Sequence, residues 1–246
     1  MKTNYYKPTS LLTTNNAKTI KGEKLGYTTY ILYMSPFRQN SQKKNICPMA
    51  TPGCAAACLY TSGHGSMDNV KKGRTNKTEF FLSDRNKFLM SIYSEIAQLE
   101  VKYKIEGGKF AVRLNGTSDI SWEKFKIKDN KNIFELFPKV QFYDYTKNHL
   151  RFQNKLPKNY RLVFSRSETN EPIALALLDK GINVAMVFDE TPKKYKGYKV
   201  INGDENDLRF LDGKGVIIGL KYKKITGKGA DNQKAFESGF AIKLAA

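Results

Sequence analysis

Cysteine and histidine are scarce in this chain, which has three cysteines and two histidines among its 246 residues. The three cysteines, Cys47, Cys54 and Cys58, all lie in one short segment. An odd number of cysteines in a chain that shows no export signal argues against a disulfide framework. We therefore expect reduced thiols, and their clustering favours a shared metal centre.

Long apolar runs are also absent. No stretch approaches the roughly 18 apolar residues that span a bilayer, and the polar residues 1–24 lack the apolar core of a secretory signal. We expect a cytoplasmic protein with no membrane partner. The G-x-S-x-G, P-loop and G-x-G-x-x-G motifs are missing too, which excludes the commonest hydrolase and dinucleotide-binding patterns.

Positive charge is abundant, with a formal net charge of +19 and a pI near 9.7. Such an imbalance attracts polyanions through long-range electrostatics and counterion release, so it predicts nucleic acid, either DNA or RNA, as a partner. The lysines form short clusters without a long basic tail, which is also typical of a generally lysine-rich proteome. Charge alone leaves both interpretations open.

Seven short runs, apolar and rich in β-branched or aromatic residues, predict strands. They cover residues 27–34, 109–114, 140–143, 161–164, 183–188, 199–201 and 216–220. Helical periodicity predicts helices over residues 83–104 and 172–180, the second ended by Gly181. This alternation predicts an α/β fold, namely a single-domain, partial TIM-like β/α barrel over residues 1–246.

Two segments of the chain are predicted to lie outside the regular strand–helix alternation of the barrel. Residues 1–24 form an N-terminal extension, and residues 35–78 form a cluster-binding loop region that follows the first strand. In such barrels, functional residues collect where strands end, although polar residues there also serve ordinary turns. The catalytic candidates at strand ends are Arg113, Asn115, Asp119, Asp144, Ser165, Glu168 and Asp204.

The cysteines have the spacing Cx6Cx3C. Soft thiolates at short spacing suit iron–sulfur clusters or zinc. A [4Fe-4S] cluster held by three cysteines leaves one iron free for a small-molecule ligand, whereas structural zinc needs a fourth protein ligand. That fourth ligand would come from His64, six residues after Cys58, from a carboxylate or from the distant His149. His64 is also a candidate for proton transfer, and a plain loop histidine is the alternative.

These residues resemble the Gene product 88 family of bacteriophages. The likeness begins with Cys47-Pro48, Pro52-Gly53-Cys54 and Cys58-Leu59-Tyr60, and it continues through residues 74–78, 113–119, 203–212, 219–221 and 238–240. It covers nearly the whole chain. The resemblance implies a phage origin and the host cytoplasm, and it supplies no established reaction.

A wider resemblance is to radical SAM enzymes, which place a three-cysteine cluster loop after the first strand of a partial β/α barrel. It implies SAM at the free iron. The spacing differs, however, because those enzymes use Cx3Cx2C, and no glycine-rich SAM-contacting segment follows the second strand here. The departure leaves SAM binding and radical chemistry open.

Three functional hypotheses follow. The first is an iron–sulfur redox or radical-type enzyme with an open iron at the barrel mouth, acting on nucleic acid or another substrate. The second is a basic nucleic-acid-binding module with a structural zinc or iron–sulfur centre, in which lysines and aromatic residues contact backbone and bases. The aromatic candidates are Tyr5, Tyr6, Tyr222 and Phe236. The third is Mg²⁺-dependent hydrolysis, which leaves the cysteines unexplained. Its candidate metal ligands are the strand-end carboxylates Asp119, Asp144, Asp189 and Asp204.

Overall fold

The structure, a computed structural model, describes residues 6–14, 17–58, 60, 63–224 and 232–244. These residues group into two compact units. The first unit takes its residues from Met1–Pro48, Asp68–Asp144 and Lys155–Arg161, and the second from Met49–Met67, Tyr145–Asn154 and Leu162–Ala246. A single domain over residues 1–246 stays a prediction. Tyr5, one of the aromatic candidates, lies outside the described residues.

The strands and helices of the described residues alternate along the chain. The strands are β1 (Leu12–Thr13), β2 (Tyr27–Leu32), β3 (Lys109–Arg113), β4 (Gln141–Thr146), β5 (Tyr160–Ser165), β6 (Val184–Phe188), β7 (Lys194–Tyr195), β8 (Tyr198–Asn202), β9 (Ile217–Lys221) and β10 (Ala241–Ile242). The helices are α1 (Ala17–Glu23), α2 (Pro52–Ala56), α3 (Asp68–Ser83), α4 (Arg85–Glu106), α5 (Ile133–Leu136), α6 (Glu171–Asp179) and α7 (Lys234–Glu237). In the described part of the chain, no helix is both long and apolar enough to cross a bilayer.

All seven predicted strands are present, with ends shifted by only a few residues. They belong to a ten-stranded sheet with the order β1-β2-β3-β4-β5-β6-β9-β8-β7, and β10 pairs with β6. Strands β2 and β3, β3 and β4, β5 and β6, and β6 and β9 pair in parallel. The inner strands are buried on both faces, which explains their nearly continuous apolar sequences.

The predicted partial TIM-like β/α barrel is wrong, because the sheet is open. Strand β1 ends one side and strand β7 ends the other. In a closed β/α barrel the first and last strands pair with each other in parallel. Here each end strand instead pairs antiparallel with its neighbour, β1 with β2 and β7 with β8. The cysteine loop also follows the second strand, since the short β1 precedes β2.

The two predicted helices are confirmed as α4 and α6. Asp84 caps α4, because its side chain accepts a hydrogen bond from the backbone N of Lys87 at 3.1 Å. Gly107, with φ of 78°, ends the helix in a conformation that suits glycine. Gly181, with φ of 76°, follows α6 in the same way.

Helix α3 lies largely inside residues 35–78, which the sequence assigns to a loop region. Its sequence is strongly polar, so it lacks the apolar stripe by which amphipathic helices are found. The buried residues of α3 include Lys77, Thr78 and Glu79, whose partners come from distant parts of the chain. Polar anchoring replaces much of the usual apolar face.

Helices α3 and α4 fix Leu11 and Leu12, which lie just before and at the start of strand β1. Lys77 Nζ donates a hydrogen bond of 2.7 Å to the carbonyl of Leu11. The carboxylate of Glu95 accepts bonds from the backbone N of Leu11 at 2.7 Å and of Leu12 at 2.9 Å. These three bonds hold a two-residue strand that would otherwise be too short to persist. The predicted N-terminal extension, residues 1–24, thus contains β1 and α1.

The buried Lys77 predicts a pH-dependent stability. Its side chain is 8% exposed, and burial, helped by the charge of Arg74, lowers its pKa from 10.5 to about 8, while Glu95 acts in the opposite direction. Between these two pKa values the unfolded chain binds more protons than the folded chain. The free energy of unfolding therefore rises with pH, by about 2 kcal/mol between about pH 8 and pH 10.

Urea denaturation of the wild type and of Lys77→Met across this range measures the effect. We expect the rise to be larger in the wild type than in Lys77→Met by about this amount. Lys72→Met, at an exposed position of the same helix, should behave like the wild type. Parallel pH profiles for the wild type and Lys77→Met would contradict the prediction.

Candidate functional site

Two predicted site residues meet at the carboxyl ends of β3 and β4 in the first unit. The backbone N of Asn115 donates to Asp144 Oδ1 at 2.6 Å, and the Tyr160 hydroxyl donates to Asp144 Oδ2 at 3.0 Å. Asn115 is 2% exposed and Asp144 is 1% exposed. Asp144 lies within β4, not in the loop after it, so its carboxylate joins neighbouring strands.

The side chain of Asn115 organises the loop after β3. Its Oδ1 accepts hydrogen bonds from Ser118 Oγ at 2.8 Å, Ile120 N at 2.9 Å and Trp122 Nε1 at 3.1 Å. Its Nδ2 donates to the Ile120 carbonyl at 2.9 Å. This pattern makes Asn115 a structural centre of residues 115–122. A catalytic role for Asn115 stays a prediction.

Arg113 and Asp119 border the same loop. Arg113 ends β3 and is half-buried. Asp119 is also half-buried, and its backbone N donates to the Ile46 carbonyl at 3.0 Å. The bond joins the loop after β3 to the segment that leads into the first cysteine.

Cys47 is positioned by this same segment. Its backbone N donates to Asn45 Oδ1 at 2.8 Å, and its Sγ lies 3.6 Å from the carbonyl of Thr117. The thiol is half-buried. The first cysteine of the motif is therefore fixed against the loop after β3, within the first unit.

Cys54 lies on α2 and Cys58 follows that helix, both in the second unit. Thr51 caps α2, since its Oγ1 accepts a bond from Cys54 N at 3.3 Å. Glu168, from the loop after β5, accepts bonds from Thr51 Oγ1 at 2.7 Å and from Gly53 N at 2.6 Å. Glu168 thus anchors the helix that carries Cys54.

Gly53 allows this anchoring because nothing larger fits. A Cβ at this position would lie 2.6 Å from Ser238 Oγ and 2.8 Å from both Glu168 Oε1 and Phe240 Cβ. Glycine at this position therefore lets the backbone of α2 come close to Glu168 and its neighbours. The Pro-Gly-Cys step of the motif has a packing explanation.

The neighbours of Glu168 hold the C-terminal segment. Arg166 is 8% exposed; its Nη2 donates to Glu171 at 2.6 Å, and its Nη1 donates to the carbonyl of Phe240 at 3.1 Å and to that of Gly239. Ser165 ends β5 and is half-buried, and its Oγ lies 3.3 Å from Lys147 Nζ. The segment after β5 is therefore a structural junction as well as a predicted site.

His64 and Asp204 are the two remaining predicted site residues. His64 is exposed in a short 3-10 turn over Gly63–Ser66. Asp204 accepts a bond from the backbone N of Lys221 at 2.9 Å and forms an ion pair with Lys223 at 3.2 Å. These contacts join the loop after β8 to the end of β9 and leave its predicted catalytic role untested.

The described residues do not form a ready metal cage. Across residues 6–14, 17–58, 60, 63–224 and 232–244, no three His, Cys, Asp or Glu side chains are grouped so that they could hold a metal ion. The three cysteines are not joined by disulfides. The described side chains therefore offer no assembled metal site, and no chemical step is derived through a cluster.

A cleft of about 430 Å³ opens in the first unit. The residues that matter for its chemistry are Lys44, Phe81, Arg85, Asp119, Ser121 and Phe125. The Arg85 guanidinium lies 5.0 Å from the ring centre of Phe81 and 5.4 Å from that of Phe125. We call this the Arg85 cleft. It combines an aromatic wall, two cations and one carboxylate.

Sequence reasoning found only Asp119 of the Arg85 cleft. Phe81 and Arg85 are four residues apart, but they lie at the end of α3 and the start of α4, and α3 itself was not predicted. Arg166 was missed as well. The sequence did offer a signal for Arg166, which is a charged residue at the end of an apolar strand, as Arg113 is. Burying an unpaired charge is costly, so such a residue is expected to have a specific partner.

The chain was compared with protein families, with curated proteins and with solved structures. A family model described as Gene product 88 matches residues 10–242. No curated protein and no solved structure matches the chain. The match supports the resemblance to a phage family and gives no support to the resemblance to radical SAM enzymes.

The anchoring by Glu168 can be tested by mutation. Glu168→Ala removes a charged acceptor of two hydrogen bonds, so we expect a loss of about 1–3 kcal/mol in the free energy of unfolding. We also expect faster alkylation of Cys54 in the folded protein, because α2 loses its anchor. Chemical denaturation and mass spectrometry after timed alkylation measure the two effects.

Glu205→Ala is the matched control, since Glu205 is an exposed glutamate of the same unit. It should change stability by less than about 0.5 kcal/mol and leave alkylation unchanged. If Glu168→Ala behaves like this control in both measurements, the anchoring role is refuted.

Proposed function

This chain belongs to the Gene product 88 family, and we propose that it is a metal-thiolate protein in which Cys47, Cys54 and Cys58 bind an iron–sulfur centre. The observation that carries the proposal is the fixing of a reduced three-thiol segment at separate points. Thr117 lies against Cys47, and Glu168 holds the helix of Cys54 through Thr51 and Gly53. Such anchoring reduces the entropy lost when ligands assemble around a metal.

The chemistry of the ligands favours iron and sulfide over zinc. Three thiolates satisfy three irons of a [4Fe-4S] cluster and leave the fourth for another ligand. Structural zinc sites have four protein ligands, and His64, the nearest histidine in sequence, is exposed. Since the described side chains do not form a cage, binding would require the thiols to assemble around the metal.

The test is anaerobic purification followed by iron, sulfide and zinc analysis with absorption and EPR spectra. We expect iron and sulfide together, with the brown colour of a thiolate cluster. The single variants Cys47→Ser, Cys54→Ser and Cys58→Ser should each lose most of the metal, because each removes a third of the protein ligands.

Met49→Ala is the control, because Met49 is an exposed sulfur residue of the same segment that lacks a thiol. It should keep the metal of the wild type. Stoichiometric zinc without sulfide would replace the iron–sulfur assignment by a structural zinc site. Protein that takes up neither metal after reconstitution, or that keeps it in all three cysteine variants, would remove the proposal.

A second candidate function, nucleic-acid binding, is favoured by the β7–β8 hairpin. Lys194 and Lys199 are exposed and lie directly opposite each other in the antiparallel pair. Like charges in this arrangement destabilise a hairpin. No carboxylate forms an ion pair with either lysine in the described part of the chain. A phosphate backbone would relieve the repulsion.

The rest of the hairpin is well fixed. Lys196, with φ of 49°, and Gly197, with φ of 87°, form its tight turn. Lys196 Nζ lies 2.6 Å from Glu171, which Arg166 also contacts. Burial raises the pKa of Glu171, but the bonds from Lys196 and Arg166 outweigh it and leave that pKa below its usual value. The opposed lysines therefore sit on a rigid support.

Lysines on an edge strand also prevent aggregation by strand pairing. A measurement of nucleic-acid binding distinguishes this role from the proposed one. We expect single-stranded DNA or RNA to bind with a steep salt dependence. In Lys194→Gln/Lys199→Gln, the slope of log K against log salt should flatten by about 1.4, which corresponds to two lost phosphate contacts. Its free energy of unfolding should rise by a few tenths of a kcal/mol as the repulsion disappears.

Lys72→Gln/Lys87→Gln removes the same charge from two exposed positions elsewhere. Fluorescence anisotropy at several salt concentrations compares the two double variants. Equal slopes would show that the binding reflects net charge alone, and they would refute a role for the hairpin. An absence of binding at low salt would refute the function itself.

A further inference from the structure

We propose that the Arg85 cleft binds a nucleoside monophosphate, with the phosphate at Arg85 and Lys44 and the base against the aromatic wall. The inference rests on the cleft of the first unit alone. It needs neither the metal centre nor the lysine hairpin of the second unit.

The cations of the cleft point to a phosphate. Lys44 and Arg85 are both exposed, and neither has an ion-pair partner in the described part of the chain. Arginine presents a planar array of donors that matches phosphate oxygens, and it can stack on aromatic rings at the same time. The two phenylalanine rings hold its guanidinium at 5.0 and 5.4 Å from their centres.

The remaining walls distinguish a nucleotide from a bare anion. Phe125 is half-buried, so part of its ring is open to the cleft, and aromatic faces stack on bases at about 1–3 kcal/mol each. Asp119 and Ser121 also line the cleft. A carboxylate repels a simple anion but accepts hydrogen bonds from ribose hydroxyl or base amino groups. Phosphate, aromatic base and hydroxyl donors occur together in a nucleotide.

The size and rigidity of the cleft agree with such a ligand. Its volume of about 430 Å³ lies in the range of small-molecule sites. Asn40 fixes the segment that carries Lys44, because Asn40 Oδ1 accepts a bond from Lys44 N at 3.0 Å and its Nδ2 donates to the Lys44 carbonyl at 2.6 Å. The loop that carries Asp119 is tied to the same segment by the bond from Asp119 N to the Ile46 carbonyl. A preformed site loses less entropy on binding.

Isothermal titration of the full chain with AMP, GMP, CMP and UMP, each separately, tests the proposal. We expect at least one to bind with a Kd below about 1 mM, and the corresponding nucleoside and inorganic phosphate to bind at least about tenfold more weakly. Arg85→Ala should weaken binding about tenfold or more. Arg85→Lys should recover only part of it, because an ammonium keeps the charge without the planar stacking.

Two matched controls lie close to Lys44 in sequence and do not line the cleft. Arg38 is an exposed arginine 5.7 Å from the ring centre of Phe37, and Lys43 is an exposed lysine next to Lys44. Arg38→Ala and Lys43→Ala should bind as the wild type does, whereas Lys44→Ala should bind several-fold more weakly.

Circular dichroism and the melting temperature establish that each variant is folded. If Arg85→Ala does not fold, Lys44→Ala and Arg85→Lys carry the test. Absence of saturable binding by all four nucleotides in the millimolar range would overturn the proposal. Equal weakening by Arg38→Ala and Arg85→Ala, or equal affinity for inorganic phosphate, would overturn it as well, since either result indicates unspecific attraction of anions.

Discussion

The anchoring of the cysteine helix by a single carboxylate is the interaction on which the candidate metal site depends. Helix α2 is only five residues long, and an isolated helix of that length is unstable in water. Glu168 compensates by accepting bonds from Thr51 and Gly53. Gly53 lets the backbone come close enough for these bonds to form. Loss of the carboxylate would leave Cys54 on a segment with little structure of its own.

The order of secondary structure was predictable from sequence, whereas the closure of the sheet was not. Apolar runs of β-branched and aromatic residues mark inner parallel strands because both faces are buried. Whether a sheet closes depends on which strands become its edges. The edges here are β1 and β7, which have two residues each and are too short to give a periodic signal. Helix α3 was not predicted for a related reason. Its buried polar residues have partners that are distant in sequence, such as Leu11, which accepts a hydrogen bond from Lys77.

The candidate site shows the same limit at the level of side chains. The clustering of the cysteines is visible in the sequence because three thiols within twelve positions need an explanation. Asn115, Asp144 and Glu168 were noticed as polar residues near strand ends, but their bonds show that each supports backbone or loop structure. Local sequence cannot separate such support from catalysis, because both require a polar side chain at the same place. The Arg85 cleft joins residues from three segments, so no local pattern announces it.

The cost of placing positive charge separates the structural cations of this protein from those for which we propose a ligand. Lys77 is buried, and its hydrogen bond to the Leu11 carbonyl holds strand β1 in place. Lys194 and Lys199 repel each other across a hairpin, and that arrangement adds nothing to the stability of the fold. Arg85 is held by aromatic rings beside Lys44 in an open cleft. Folding alone accounts for Lys77, whereas an anionic partner for Lys194, Lys199 and Arg85 is our proposal.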